Sequence, residues 1–163
     1  MPTLISIVGR SQSGKTTLIE KLIRELKKRG YKIGTIKHSH HAFDIDKSGK
    51  DSSRHKDAGA EAVIVASPGK IAMIKNEESG SPDSLLKYFD NVDLVITEGY
   101  KKERKPKIEV VRSARHTEIF CKNDPNLMAV VTDAKMQLDV PVFGLDNISD
   151  LADFIEDKFL RFY

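Results

Sequence analysis

The sequence predicts an α/β fold in three layers, with helices flanking a mostly parallel sheet, and three observations predict it. Leu4-Ile5-Ser6-Ile7-Val8 is a short apolar run rich in β-branched residues, which reads as a buried strand. Thr17 to Arg29 has helical periodicity, and Tyr31 to Lys37 follows as a second strand, with Ile33 and Ile36 its clearest apolar contributors. Strand, helix and strand in that order make a βαβ unit, whose crossover is almost always right-handed and whose strands run parallel.

The helix places Leu18, Ile19, Leu22, Ile23 and Leu26 on one face. On the other face Glu20/Arg24, Lys21/Glu25 and Glu25/Arg29 have the spacing of i,i+4 ion pairs. Gly30, just past the last periodic residue, suits a left-handed helix stop. After the second strand, His38 to His55 is too polar for a core element and reads as a loop, with Asp51 or Ser52 able to cap a short helix that Gly59 ends. Ala62 to Ala66, the turn Ser67-Pro68-Gly69 and Ile71 to Ile74 read as a hairpin, so the sheet is expected to be mixed in part. Ser81-Pro82 opens a short helix with Leu85, Leu86 and Phe89 inward. Val92 to Gly99, Ile108 to Val111, Leu127 to Thr132 and Val142 to Leu145 read as further strands. Asn147 or Ser149 caps a last helix whose buried side holds Leu151, Phe154, Ile155 and Phe159. The stretch from Ser113 to Asn126 shows no clear period.

Between the first strand and its helix stands Gly9-Arg10-Ser11-Gln12-Ser13-Gly14-Lys15-Thr16, which fills every fixed position of the G-x-x-x-x-G-K-S/T phosphate-binding pattern. Unpaired backbone N–H groups and the positive end of the helix dipole face an anion there. Lys15 would neutralise the β- and γ-phosphates of a nucleotide, and the Thr16 hydroxyl would ligate a bridging Mg²⁺. Ligands of open parallel sheets gather at the carboxyl ends of the strands. That rule chooses Glu98 over Asp93 as the Mg²⁺-side acid of its strand, because five residues separate them by roughly 16 Å. Asp133 ends another strand at the same edge and could accept from guanine N1 and N2, or be an ordinary loop acid. His38, His40, His41 and His55, four of the five histidines, lie after the second strand with Arg54, where contact with a substrate or partner is the expectation. Lys101, Lys102 and Arg104 belong to the densest basic cluster, which reads equally as a solvated face or as a receiver of an anionic substrate or acidic partner.

A chain of 163 residues is one domain on the size prior, taken as residues 1–163, with no internal repeat or linker. The single cysteine, Cys121, excludes an internal disulfide, and no charged-then-apolar leader precedes the first strand, so a cytoplasmic location is expected. No apolar run approaches the ~18 residues of a membrane span. A net charge of +3 is too mild to argue for nucleic acid.

The phosphate loop, Lys37-His38 through His41, Phe43-Asp44 to Ala60, and Glu98-Gly99-Tyr100-Lys101 with Pro106-Lys107-Ile108-Glu109 together resemble the molybdopterin-guanine dinucleotide biosynthesis protein B family. The resemblance is specific from about Ile5 to Arg112. It implies a GTP-binding, Mg²⁺-dependent P-loop NTPase fold, a homodimer with weak GTPase activity, and an adapter role beside the guanylyltransferase that joins a GMP unit to molybdopterin. Carried over residue by residue, Gly9, Ser13, Gly14, Lys15, Thr16 and Thr17 take the phosphate loop, Glu98 the Mg²⁺-proximal acid, and Asp44 a second acidic position near the metal. Arg10 stands where related ATPases carry a lysine that reaches across a dimer, but the glycines that surround that lysine are absent. A competing reading is a P-loop small-molecule kinase, which uses the same loop and Mg²⁺ but needs an Arg-bearing lid that no helical stretch clearly supplies. A nucleic-acid-binding NTPase ranks last, because the basic cluster holds one tyrosine and no aromatic array for stacking.

Overall fold

The computed structural model describes residues 2–39, 43, 45–46, 48–77 and 80–161. His40, His41 and Asp44 therefore lie outside the described residues. The chain divides into two compact units, residues 1–38 with 82–163, and residues 39–81.

The first unit is built on six strands: β1 (Thr3–Val8), β2 (Ile33–Lys37), β5 (Leu94–Glu98), β6 (Lys107–Val111), β7 (Leu127–Thr132) and β8 (Val142–Gly144). Their order is β2-β5-β1-β6-β7-β8, and every neighbouring pair is parallel. Alternation of side chains along each strand divides the core in two. Ile5, Ile7, Leu94, Ile96, Ile108, Val110, Ala129 and Val131 pack with Leu18, Leu22 and Leu26 of helix α1 (Lys15–Lys28) and Leu151 and Ile155 of α4 (Ile148–Ile155). The opposite face buries Leu4, Val95 and Ile36 under Leu86, which follows the short helix α3 (Pro82–Leu85). Farther along that face, Val8, Val111 and Val130 lie under Cys121, Met136, Leu138 and Val140. The β6–β7 and β7–β8 crossovers thus cover the sheet with irregular chain rather than helix.

α1 begins at Lys15, two residues before the periodicity suggests, and Gly30 after it takes φ 96°. Arg29 at its end bonds to Glu25 (3.1 Å), Asp153 (2.5 Å) and Glu156 (2.7 Å), which ties α1 to the C-terminal helix and holds the arginine far toward its charged form, chiefly through Glu156. One expected i,i+4 pair is absent. Glu25 is taken by Arg29 and Lys28, and Lys21 instead meets Asp146 at 2.7 Å. Asn147 stands at the start of α4, but its amide donates to Asp150 (3.2 Å) and caps no backbone N–H. α4 continues as a π-helical turn over Glu156–Leu160.

The second unit holds α2 (Asp51–Asp57), β3 (Ala62–Ser67) and β4 (Lys70–Lys75). The expected hairpin forms, Ala62 pairing Lys75 through Ser67 pairing Lys70. Its antiparallel pairing makes a sheet of two strands on its own, so the six-stranded sheet is not mixed. A tight turn satisfies an antiparallel pair locally, without an edge of the parallel sheet. The residue at the start of α2 is Lys50, in extended conformation; Asp51 is already helical, where its charge complements the dipole without capping. Among the described residues, no helix is long and apolar enough to cross a membrane.

Candidate functional site

β1 is where the sheet changes direction: the chain leaves it for β2 on one side, and β6 to β8 extend on the other. Ligands of open α/β sheets bind at such a switch point, beyond the carboxyl ends of the strands. The phosphate loop follows β1 at that point. Gly9 takes φ 147°, and a Cβ there would stand 2.5 Å from the Val110 carbonyl oxygen and 2.8 Å from Ser13 Oγ, so only glycine lets the loop pass β6 this closely. Lys15 and Thr16 occupy the first turn of α1. The Lys15 ammonium donates to the carbonyls of Arg10 (2.7 Å) and Gly9 (3.3 Å), two loop oxygens that a phosphate would replace. Burial lowers its pKa, Glu98 opposes that shift, and Lys101 and Lys37 add to it. A half-desolvated cation among other cations gains from an arriving anion.

Glu98 closes β5 in register with Ile7 of β1 and Lys37 of β2. Ile7 packs on the α1 side, so Glu98 and Lys37 share that face. The Thr16 hydroxyl lies 3.0 and 3.1 Å from the two Glu98 carboxylate oxygens. A hydroxyl and a carboxylate are the oxygen donors that hard Mg²⁺ takes in phosphate sites, so these residues fit that ion. Asp93, at the other end of the strand, accepts from the Lys32 backbone N–H at 2.7 Å. After Glu98 the chain turns sharply: Gly99 has φ 108° and Tyr100 has φ 58°. A Cβ on Gly99 would meet His38 Cβ at 3.2 Å. The His38 and Tyr100 rings stack at 4.5 Å, and burial, with Glu103 adding, pushes the Tyr100 phenol up.

The model of the MobB family, described as molybdopterin guanine dinucleotide synthesis protein B, matches residues 4–133. The chain belongs to the MobB family. It is 41% identical over 163 residues to the molybdopterin-guanine dinucleotide biosynthesis adapter protein of Haemophilus influenzae, covering 98% of this chain and 91% of that protein. To the Escherichia coli protein of the same description it is 38% identical over 161 residues, covering 95% and 92%. A crystal structure of molybdopterin-guanine biosynthesis protein B superposes with a TM-score of 0.76 at 31% identity, over 94% of this chain and 98% of that one.

Within this MobB fold the sequence-predicted residues separate into groups. Gly9, Ser13, Gly14, Lys15, Thr16 and Thr17 form one loop and helix start, which Glu98 joins through Thr16. His38 stands beside Tyr100 at the ends of neighbouring strands. The side chains of the basic cluster differ in their surroundings. Lys101 lies over the Phe120 ring at 5.1 Å, Lys105 pairs with Asp83 at 2.6 Å, and Lys107 is 1% exposed and pairs with Asp124 at 2.6 Å, while Lys102 and Arg104 are exposed. Arg54 and His55 lie exposed in α2 of the second unit. Asp133 Oδ1 accepts a hydrogen bond from the Ser113 backbone N–H at 2.7 Å.

Two sets of residues escaped the sequence reading. Lys107 and Glu109 are buried in a strand with no exposed face, and Glu109 accepts the backbone N–H groups of Phe120 and Cys121, both at 2.7 Å. Charges inside a central parallel strand are the signal that a segment elsewhere must satisfy them. Arg112, directly after β6, and Leu145 with Asp146, directly after β8, line a cavity with Ser13, Thr17 and Lys21. The carboxyl-edge rule that singled out Glu98 applies equally to them.

Proposed function

We propose that this chain binds GTP with Mg²⁺ at the phosphate loop and serves as an adapter, in the cytoplasm, in the step that joins a GMP unit to molybdopterin. The observation that carries the nucleotide part is the contact of Thr16 with Glu98 at the mouth of the loop, which brings a hydroxyl and a carboxylate together where a β,γ-bridging metal would sit. Relatives 41% and 38% identical that are named adapter proteins of molybdopterin-guanine dinucleotide biosynthesis support the pathway. In this reading Lys15 leaves the Gly9 and Arg10 carbonyls for the phosphates, and Thr16 and Glu98 open to the metal. Hydrolysis is slow and secondary. Lys102 and Arg104, exposed beyond β5, receive the pterin phosphate or an acidic face of the guanylyltransferase. A second copy of the chain covers the apolar residues exposed on the hairpin, making a homodimer.

Calorimetric titration with Mg·GTP, beside melting curves, tests the site. Wild type should bind, and Lys15→Ala should lose binding with its melting temperature unchanged. Purified guanylyltransferase and molybdopterin then test the role. Product should form faster with the wild-type chain than with Lys15→Ala, and an equal rate with and without the chain would end the adapter reading.

A further inference from the structure

We infer that the cavity beside the phosphate loop on its β6–β8 side is the base subsite, and that Asp146 is the carboxylate that selects guanine. This rests on the proposed GTP binding and adds the residue that chooses the base.

Phosphates held at Gly14 to Thr16 fix where the rest of a nucleotide can go. On the β5 side, Thr16 and Glu98 occupy the space where the metal would sit. On the other side a cavity of about 110 Å³ opens along the first two turns of α1, with Thr17 and Lys21 on one wall and Arg112, Leu145 and Asp146 on the other. Ser13 also lines it. Its side chain is 2% exposed and its hydroxyl has no hydrogen-bond partner, a buried polar group that a ligand would satisfy.

The polar groups of this cavity match one base. Lys21 donates to Asp146 Oδ1 at 2.7 Å and holds the carboxylate below its ordinary pKa, so at neutral pH it is an acceptor only. The Asp146 side chain is 89% exposed at the rim of the cavity, and its other oxygen, Oδ2, is outside that bond. Guanine offers two adjacent donors, N1–H and the N2 amine, and an acceptor, O6, beside them. A carboxylate takes the first two and the Arg112 guanidinium suits the third. Adenine offers an acceptor at N1 where guanine has a donor, which would face the carboxylate unpaired. Asp133, another acid at this edge, does not line the cavity.

The test is a change of base preference. Asp146→Asn keeps the size of the side chain and replaces an acceptor by an amide that can donate to the 2-oxo group of xanthine. Affinity for Mg·GTP should fall roughly 10- to 100-fold and affinity for Mg·XTP should rise by a similar factor. Affinity for Mg·pyrophosphate, which uses the phosphate loop alone, should stay unchanged and shows that the variant is folded. Asp133→Asn should leave the ratio of GTP to XTP affinity as in wild type. A wild type that prefers GTP and an Asp146→Asn variant that keeps that preference would overturn this inference and leave the GTP reading standing, as would a switch to XTP in Asp133→Asn. A wild type that binds pyrophosphate but shows no preference for GTP over XTP or ATP would overturn both.

Discussion

In the six-stranded unit, β1, β5, β6 and β7 are covered on both faces, and Ile5, Ile7, Leu22, Leu94, Ile96 and Val131 reach zero exposure. In the hairpin unit Val63 is the one buried hydrophobic side chain among the described residues, while Ile64, Val65, Ile71 and Met73 of its two strands stand 60%, 51%, 71% and 42% exposed. The residue types hardly differ between the two. What differs is that a crossover connection brings a helix or a segment back over the parallel sheet, whereas a two-residue turn brings nothing over a hairpin. The first unit therefore holds the phosphate loop and Glu98 by its own packing. The second presents apolar surface that gains only when another surface covers it.

Three substitutions probe that contrast. Leu22→Ala empties the centre of the α1 side of the core and should cost about 2–5 kcal/mol of unfolding free energy, measured by denaturant titration. A loss under about 1 kcal/mol would mean that the six-stranded core is looser than its burial indicates. Asp124→Asn should cost about 2 kcal/mol, less than the 3–5 typical of a fully buried pair, because the carboxylate remains 25% exposed although its Lys107 partner is 1% exposed. The same pair sets a pH dependence. The Lys107 bond holds the Asp124 carboxyl down at about 2, below its unfolded value near 3.9, so its contribution is complete above about pH 4 and is lost as pH falls toward 2. The acid limb of the stability profile between those values should flatten in Asp124→Asn, and a profile identical to wild type would remove the pair from the account. Ile71→Ser, by contrast, should change unfolding of the six-stranded unit by no more than about 0.5 kcal/mol. Light scattering across a concentration series should instead show self-association weakened by roughly tenfold or more, because an isoleucine leaves the proposed interface. If wild type and variant are both monomers at every concentration, the exposed hairpin is not covered by a second copy.

The phosphate loop was legible because its requirements are local. The glycines, the lysine and the hydroxyl residue serve one turn of backbone, and strand and helix periodicity on either side confirm the setting. Glu98 was legible for a related reason, since strand direction and the carboxyl-edge rule place it without knowledge of the neighbouring strands. The Lys107, Glu109 and Asp124 cluster was not. Lys107 reads as the end of a basic run, and only the sheet order, which sets β6 between β1 and β7, shows that the residue is interior. The segment from Ser113 to Asn126 has no period and forms turns and irregular chain, and the buried Glu109 carboxylate accepts its backbone N–H groups at Phe120 and Cys121. Lys21 likewise left its expected helical partner for Asp146, 125 residues away in sequence, because Glu25 was already satisfied.

By itself the sequence determined the α/β class, the strand–loop–helix that carries the phosphate-loop pattern, and the place of Glu98 at the carboxyl end of its strand, since each depends on side-chain period and spacing within about thirty residues. The tertiary structure decided which strands neighbour one another, that the hairpin pairs with itself alone, and which charges go inside. It also decided that Arg112 and Asp146, 34 positions apart, share a cavity with the phosphate loop. Those outcomes depend on the order of strands across the sheet, and that order is set by burial summed over the whole unit, which no local pattern encodes.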